Sequence, residues 1–224
     1  MLRFNKDHDL KGVLICVEGI DGSGKSTQLD LLYSWLKSKN LDVILTCWNS
    51  SDLISETTKR AKKKNLLSGR TFSLLHAVDF ADRLEKVIIP AMKAGFIVLA
   101  DRYVYTAFAR DVARDVDKKW VRNMYGFAIK PDLTLYFDVS AKVSLERICM
   151  NRQPKYYEAG MDLKLSNNPY KSYVLFQNRV IEQYKDMIDE YGLVPVDASE
   201  TIHKKQVYFR KLVTELLNSK GINI

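Results

Sequence analysis

Five short apolar runs alternate with longer amphipathic segments along the chain. The apolar runs, which are typical of buried strands, cover residues 13–18, 43–48, 96–101, 133–138 and 193–196. Between them, apolar residues recur every three or four positions, which predicts helices over 25–39, 53–66, 71–94, 105–127, 141–151, 170–190 and 200–219. Strands that alternate with helices indicate right-handed crossovers, so we expect one α/β domain over residues 1–224, with a parallel sheet covered by helices on both faces.

Polar residues follow three of the predicted strands. The first strand runs into a glycine-rich loop, the third is followed by Asp101-Arg102-Tyr103, and the fourth leads to a helix that contains Arg147. Because ligands of parallel sheets bind outside the carboxyl ends of the strands, these ends predict the functional site. The polar stretch 152–168, which contains Gly160, predicts a mobile lid near that site.

The glycine-rich loop matches a phosphate-binding pattern. Residues 13–26 read VLICVEGIDGSGKS, in which Gly19, Gly24, Lys25 and Ser26 fit G-x-x-x-x-G-K-[ST]. Its backbone amides can cradle phosphate oxygens, Lys25 can reach the β and γ phosphates, and the Ser26 hydroxyl can ligate Mg²⁺. A Gly/Ser-rich turn before a helix is the alternative, but the order strand, loop, helix favours a nucleoside triphosphate site. The candidate cofactor-binding residues are Gly19, Asp21, Gly22, Ser23, Gly24, Lys25, Ser26 and Thr27.

Composition narrows the class of protein. Of 224 residues, 46% are hydrophobic and 28% charged, as in ordinary globular domains. The three cysteines lack metal-ligand spacing, and we expect a reduced, cytoplasmic protein without a membrane span or signal peptide. The net charge of +8 fits either a nucleic-acid surface or a pocket for nucleotides. The basic run 59–64 has no nucleic-acid-binding motif beside it, so we do not expect a nucleic-acid partner.

The order and spacing of these segments resemble the thymidylate kinases over nearly the whole chain. The resemblance rests on EGIDGSGKST (18–27), DRYVYTA (101–107), PDLTLYFDVS (131–140), LER (145–147) and VDAS (196–199). It implies a P-loop NTPase fold with a five-stranded parallel sheet, a lid at about 152–168 and a homodimer. It also implies Mg²⁺-dependent transfer of the ATP γ-phosphoryl group to dTMP, which forms dTDP.

The resemblance assigns roles to individual residues. Lys25, Asp101, Arg102 and Arg152 are the implied catalytic residues, with Ser26 and Asp101 at the metal. Arg102 would grip the acceptor phosphate, and Asp21 would lie near the acceptor's sugar and phosphate. Arg83 would reach the pyrimidine, and Tyr157 belongs to an aromatic–acid pair in the lid. Position 22 is Gly rather than Arg, so Arg152 is expected to supply the transition-state cation.

Three departures from the family pattern put the base of the acceptor in question. No arginine follows the second strand, where the sequence is TCWNSS (46–51), and Asp79 stands where the family usually has a stacking Phe. Arg110-Asp111 stands where aromatic and amide residues are common. We expect Asp79 either to pair with Arg83 or Arg110, or to accept a hydrogen bond from the base. Such a pocket should accept dTMP and dUMP with modest discrimination.

Other readings of the same residues stay open at this point. Asp101-Arg102 could be a surface ion pair, Arg83 a solvated charge, and Arg147 and Arg152 helix-capping cations. A deoxynucleoside kinase would need a carboxylate base, for which Glu18 is the candidate. Another pyrimidine monophosphate kinase, acting on dUMP or UMP, and a nucleic-acid-associated ATPase are the remaining alternatives.

Overall fold

A parallel five-stranded sheet forms the centre of the chain, as the sequence predicts. The computed structural model describes residues 8–64 and 67–224. The strands are β1 (Val13–Glu18), β2 (Val43–Cys47), β3 (Ile97–Asp101), β4 (Leu133–Asp138) and β5 (Val194–Asp197). They lie in the order β2-β3-β1-β4-β5, and all four pairings are parallel.

The central strand explains why its sequence is continuously apolar. Every residue of β1 is buried, because β3 and β4 flank it and helices cover both faces. The pairing of Val17 with Asp101 brings the carboxyl ends of β1 and β3 side by side. The two polar strand ends singled out from the sequence therefore meet at one edge of the sheet.

Nine α-helices occur among the described residues. They are α1 (Lys25–Ser38), α2 (Ser55–Lys63), α3 (Gly69–Arg83), α4 (Ile89–Lys93), α5 (Val104–Val112), α6 (Lys118–Met124), α7 (Ala141–Cys149), α8 (Pro169–Tyr191) and α9 (Ile202–Ser219). In five of these helices, the polar side chain at the N-cap position accepts a hydrogen bond from a backbone amide of the first turn. These N-cap residues are Ser68, Asp117, Ser140, Asn168 and Thr201. The end of the predicted helix 53–66 falls on Asn65 and Leu66, which lie outside the described residues.

Two predicted helices are each divided in the structure. The segment predicted as 71–94 is α3, a π-helical turn over Leu84–Ile88 and α4, because Pro90 has no N–H to continue the regular helical ladder. The segment predicted as 105–127 is α5 and α6. Asp115 adopts a left-handed conformation (φ 61°) between them, and Asp117 caps the new helix.

The segment proposed as a lid connects α7 to α8 and contains one 3₁₀ turn, Met161–Leu163. Ala159 is fully buried, and Gly160 has φ 61°. A Cβ on Gly160 would lie 2.6 Å from the Phe176 side chain, so only glycine allows this close contact with α8. None of the helices in the described parts of the chain has the length and apolar character that a membrane span requires.

Candidate active site

The phosphate-binding loop joins β1 to the N-terminus of α1. Gly19, Gly22 and Gly24 all have positive φ angles, and a Cβ on Gly19 would lie 2.7 Å from the Phe137 carbonyl oxygen. These glycines allow a tight turn, and Gly22 and Gly24 line a cleft of about 300 Å³. Backbone amides at a helix N-terminus favour anions, so this cleft is suited to phosphate groups.

Lys25 lies inside the loop rather than in solvent. Its Nζ donates hydrogen bonds to the Ile20 carbonyl (2.7 Å) and to Ser23 Oγ (3.1 Å). Burial lowers the pKa of Lys25 to about 7, and the positive charge of the nearby Arg102 adds to this shift. The negative charges of Asp101 and Asp21 oppose it. An anion in the cleft would restore the charged form of this lysine.

Ser26 and Asp101 bring two oxygen donors together at the edge of this cleft. Ser26 Oγ donates to Asp101 Oδ2 at 2.8 Å, while Asp101 Oδ1 is buried with no hydrogen-bond partner in the described parts of the chain. Hydroxyl and carboxylate oxygens are hard ligands of the kind Mg²⁺ prefers. No group of three or more His, Cys, Asp or Glu residues that could hold a metal occurs within 8–64 and 67–224.

Asp21 joins two arginines at the mouth of the loop. Arg102, in a left-handed conformation (φ 73°), donates to the Gly19 carbonyl (2.9 Å) and to Asp21 Oδ1 (2.5 Å). Arg110 Nη2 donates to the other oxygen of the same carboxylate. Burial alone would raise the pKa of Asp21, but Arg110, Arg102 and Lys25 hold it well below its usual range. Asp21 is therefore ionised, and it fixes both guanidinium groups.

Glu18 is fully buried, and both its oxygens are engaged. It accepts hydrogen bonds from the Tyr103 amide (2.7 Å), Thr106 Oγ1 (2.7 Å) and Tyr184 OH (2.8 Å). Burial raises its pKa, although these donors and Arg102 oppose that shift. Glu18 thus holds the start of α5 against β1, and it is not among the residues that line the cleft at the phosphate-binding loop.

A second cleft of about 460 Å³ adjoins the first. Six of its lining side chains are cationic: Lys62, Lys63, Arg102, Arg110, Arg114 and Lys155. Three lining side chains are carboxylates: Asp21, Asp101 and Glu158. Four aromatic side chains, Trp48, Phe72, Tyr156 and Tyr157, line it as well. An excess of positive charge beside aromatic surface suits a ligand that has an anionic group and a flat ring. We call this second space the acceptor cleft.

Asp79 does not point into the acceptor cleft. It is 1% exposed, and its carboxylate accepts hydrogen bonds from the amides of Asn49 (3.0 Å) and Ser51 (2.8 Å). Asn49 adopts a left-handed conformation (φ 62°), and the turn leaves these buried amides without strand partners. Of the two partners we expected, Arg83 is near, with Nη1 3.9 Å from the carboxylate. The expected contact with a base is thus replaced by contacts that hold the turn after β2.

Arg83 is also turned away from the acceptor cleft, contrary to the sequence-based expectation. It is 2% exposed, and its Nε and Nη2 donate to Thr46 Oγ1 at 3.2 and 3.1 Å. Its guanidinium carbon lies 5.9 Å from the centre of the Trp48 ring, and Trp48 lines the cleft. Arg83 itself is not among the lining residues of the cleft, so its contact with a pyrimidine stays a prediction. Trp48 and Asn49 were not among the predicted site residues, and their place just after β2 is the signal that could have identified them.

The lid segment places Tyr157, but not Arg152, against the acceptor cleft. Arg152 forms a bidentate pair with Glu158 (2.7 and 3.0 Å), and its side chain is 40% exposed. The Tyr157 ring lies 5.1 Å from the Phe72 ring, and its hydroxyl accepts a hydrogen bond from the Leu67 amide. Arg147 donates to the Ala198 carbonyl at 3.0 Å, which links α7 to the end of β5.

Comparison with known proteins agrees with this geometry. The thymidylate kinase family model matches residues 17–206. A probable thymidylate kinase 2 of Saccharolobus solfataricus is 44% identical over 212 residues, which cover 94% of this chain and 99% of that protein. A probable thymidylate kinase of Thermococcus gammatolerans is 33% identical (86% and 93% covered), and a thymidylate kinase of Geobacillus sp. is 34% identical (86% and 91% covered).

Proposed function

The chain belongs to the thymidylate kinase family, and on that basis we propose that it transfers the γ-phosphoryl group of ATP to dTMP, forming dTDP for dTTP synthesis. The observation that carries the proposal is that two adjoining clefts share Asp21, Asp101 and Arg102. One cleft is the phosphate-binding loop and the other is cationic with aromatic walls. A kinase needs this arrangement, because the donor and acceptor phosphates must meet at one point.

On the donor side, the loop is the proposed binding site for the phosphates of ATP. Its cleft is lined by Gly22, Gly24, Lys25, Ser26 and Thr27. Phosphate oxygens would take the place of the Ile20 and Ser23 oxygens as partners of the Lys25 ammonium. The charged lysine would then neutralise the negative charge of the transferred group, which is the main catalytic requirement of phosphoryl transfer.

Mg²⁺ fits the residues at the edge of this cleft. Ser26 Oγ and the Asp101 carboxylate are 2.8 Å apart, and Asp101 has an oxygen without a hydrogen-bond partner in the described part of the chain. Mg²⁺ commonly binds through one or two such oxygens, with phosphate oxygens and waters completing its shell. When bound, it would add positive charge against the phosphate oxygens of the donor.

On the acceptor side, Arg102 is proposed to bind the phosphate of dTMP. Its guanidinium is held at the junction of the clefts by Gly19 and Asp21. The phosphate of dTMP is already ionised, so its oxygen can attack without a general base. A nucleoside kinase would need a base for a hydroxyl group, and the engaged, buried carboxylate of Glu18 does not supply one.

Arg152 is proposed to reach the transferred group when the lid closes. In the structure it is bound to Glu158, and because the Arg152 side chain is 40% exposed, it can exchange this partner for a phosphate at a small cost. Closure would also exclude water from the two clefts. Tyr157, which already lines the acceptor cleft, would then form part of its wall.

A homodimer and a cytoplasmic location complete the proposal. Leu74 and Val78, one turn apart on α3, and Val87 beyond it are exposed apolar side chains that a second copy could cover. Cys16, Cys47 and Cys149 are free thiols, as expected for a reducing compartment. Sedimentation equilibrium would measure the oligomeric state, and a monomer at micromolar concentration would contradict the dimer.

A coupled assay of ADP release over a panel of acceptors tests the proposed function. We expect turnover with ATP, Mg²⁺ and dTMP, less with dUMP, and none with thymidine. Equal or faster turnover with thymidine would identify a nucleoside kinase instead. ATP hydrolysis without an acceptor that DNA or RNA stimulates would identify a nucleic-acid-associated ATPase.

A further inference from the structure

Arg110 is a second guanidinium at the junction of the clefts, and the roles described above do not use it. It lies on α5, and its Nη2 donates to the Asp21 oxygen that Arg102 leaves available. Its Nε is buried and has no hydrogen-bond partner within 8–64 and 67–224. The Arg110 side chain is mostly buried, yet it lines the acceptor cleft. A desolvated guanidinium with an unused donor indicates a site for an anion.

Building on the proposed kinase function, we propose that Arg110 binds the phosphate of the acceptor monophosphate together with Arg102. Asp21 carries one negative charge between two positive ones, so these three side chains keep one excess positive charge. A phosphate monoester carries a charge of about −1.5 to −2 at neutral pH, which complements that excess. Each guanidinium has a planar arrangement of N–H donors that matches phosphate oxygens. Both guanidinium groups are held beside Asp21, which lines the two clefts.

The lining of the two clefts assigns Arg110 to the acceptor rather than to ATP. Arg102 lines both clefts, whereas Arg110 lines only the acceptor cleft. The effect of Arg110 should therefore fall on the acceptor alone.

Two other cations of the acceptor cleft are engaged elsewhere. Lys62 Nζ lies 3.4 Å from His76 Nε2 and 5.0 Å from the centre of the Phe72 ring. Arg114 is bound to Asp162 and to the Tyr157 carbonyl. Of the cations that line the cleft, Arg102 and Arg110 are the two that bind the Asp21 carboxylate, so Arg110 is the cleft cation best placed to act with Arg102.

The test compares dTMP with thymidine, which differ only in the phosphate. In Arg110→Gln, we expect the dissociation constant of dTMP, measured by calorimetry, to rise on the order of 10–100-fold, as for a lost charge-assisted contact. The constants for thymidine and ATP should stay within about twofold of the parent values. Arg110→Lys keeps the charge without the planar fork, so its dTMP constant should lie between the two.

A matched control is Arg179→Gln, which removes the same charge from an exposed side chain near Asp115 (3.7 Å). It should change none of the three constants. An equal loss of thymidine and dTMP binding in Arg110→Gln would place Arg110 at the sugar or base and overturn the proposal. An unchanged dTMP constant would overturn it as well. If the parent protein transfers no phosphoryl group to dTMP, the proposed function fails, whereas the binding comparison still decides the role of Arg110.

Discussion

Lys25 has a buried ammonium and a proposed phosphate-binding role, and the two together predict a pH dependence of the site. Burial lowers its pKa to about 7, so above that pH the amine is mostly neutral. Phosphate groups beside it favour the charged form and raise the pKa again. ATP binding at pH 8 should therefore take up on the order of half a proton or more, and at pH 6, where Lys25 is already charged, almost none. Calorimetry in buffers of different ionisation enthalpy measures this uptake.

Lys25→Ala is the matched variant for this measurement. It should abolish the proton uptake and lower kcat on the order of 10²–10³-fold, since one stabilising contact to the developing charge is lost. Its circular dichroism should match the parent, because the hydrogen bonds of the removed side chain within the described residues go to loop oxygens of Ile20 and Ser23. Proton uptake that persists in Lys25→Ala would assign it to another group.

Asp79 acts through the backbone of the turn after β2, and this changes what its substitution should do. Asp79→Ala would leave the partly buried amide of Asn49 and the buried amide of Ser51 without acceptors, which costs about 2–4 kcal/mol of unfolding free energy. Because Trp48 and Asn49 line the acceptor cleft, the KM for dTMP should rise while the KM for ATP stays constant. Urea unfolding and steady-state kinetics measure the two effects.

The comparison variant is Asp79→Asn, which keeps one acceptor oxygen and should lose about half of that stability. A direct contact between Asp79 and the base would behave differently. It would change the ratio of the dTMP and dUMP rates without changing stability, and that result would contradict the positioning role. The sequence alone could not distinguish these roles, because the distance from Asp79 to Asn49 and Ser51 depends on how α3 packs against β2.

At the scale of elements, Arg114 connects the lid segment to two helices. It follows α5, donates to the Tyr157 carbonyl (2.6 Å) and to Asp162 (2.9 Å), and lies between the rings of Phe72 on α3 and Phe176 on α8. The guanidinium carbon of Arg114 lies 4.8 Å from the centre of the Phe72 ring and 4.4 Å from the centre of the Phe176 ring, and both distances fit cation–π contacts. Arg114 is therefore one of the residues that hold the proposed lid against the acceptor cleft, together with the contact of Gly160 with Phe176 and the hydrogen bond of Gln177 to the Glu158 carbonyl.

Arg114→Met should release the lid while it keeps an apolar stem between the two rings. We expect hydrogen exchange in residues 157–162 to accelerate, the KM for dTMP to rise, and stability to fall by about 2–4 kcal/mol, since Asp162 loses its partner. Mass spectrometry of exchanged peptides measures the first effect. Faster exchange spread over β1 and β3 would show a general loss of stability and would contradict a specific role at the lid.

Elements were predictable wherever one local pattern decided the structure. The phosphate loop, β1 and α1 are contiguous in sequence, so the order strand, loop, helix was enough to place Lys25 and Ser26. The breaks inside the predicted helices 71–94 and 105–127 depend on the single residues Pro90 and Asp115, which an apolar periodicity averages over. The acceptor cleft combines side chains from seven separate segments, so Trp48, Phe72 and Arg114 could not be found from spacing alone.

At the scale of the whole molecule, positive charge is concentrated where the proposed reaction needs it. The chain carries a net charge of +8, and the lining of the acceptor cleft has six cations against three carboxylates. A cleft with low-dielectric walls focuses such a field and attracts an anionic substrate. Lys62 and Lys63, which belong to the basic run on α2, are part of this lining. The proposed binding of an anionic substrate therefore explains part of that run, and no nucleic-acid partner is needed to explain it.

Salt should therefore weaken the binding of dTMP far more than the binding of thymidine. Raising the salt concentration from about 0.05 to about 0.5 M shortens the screening length to a few ångströms, so the cationic cleft attracts the phosphate less. We expect the KM for dTMP to rise several-fold, while the inhibition constant of thymidine, which has no phosphate, stays nearly constant. Arg110→Gln should reduce this salt dependence, because it removes one of the charges that salt screens. An equal salt dependence for dTMP and thymidine would show that the charge of the cleft serves the fold rather than the acceptor.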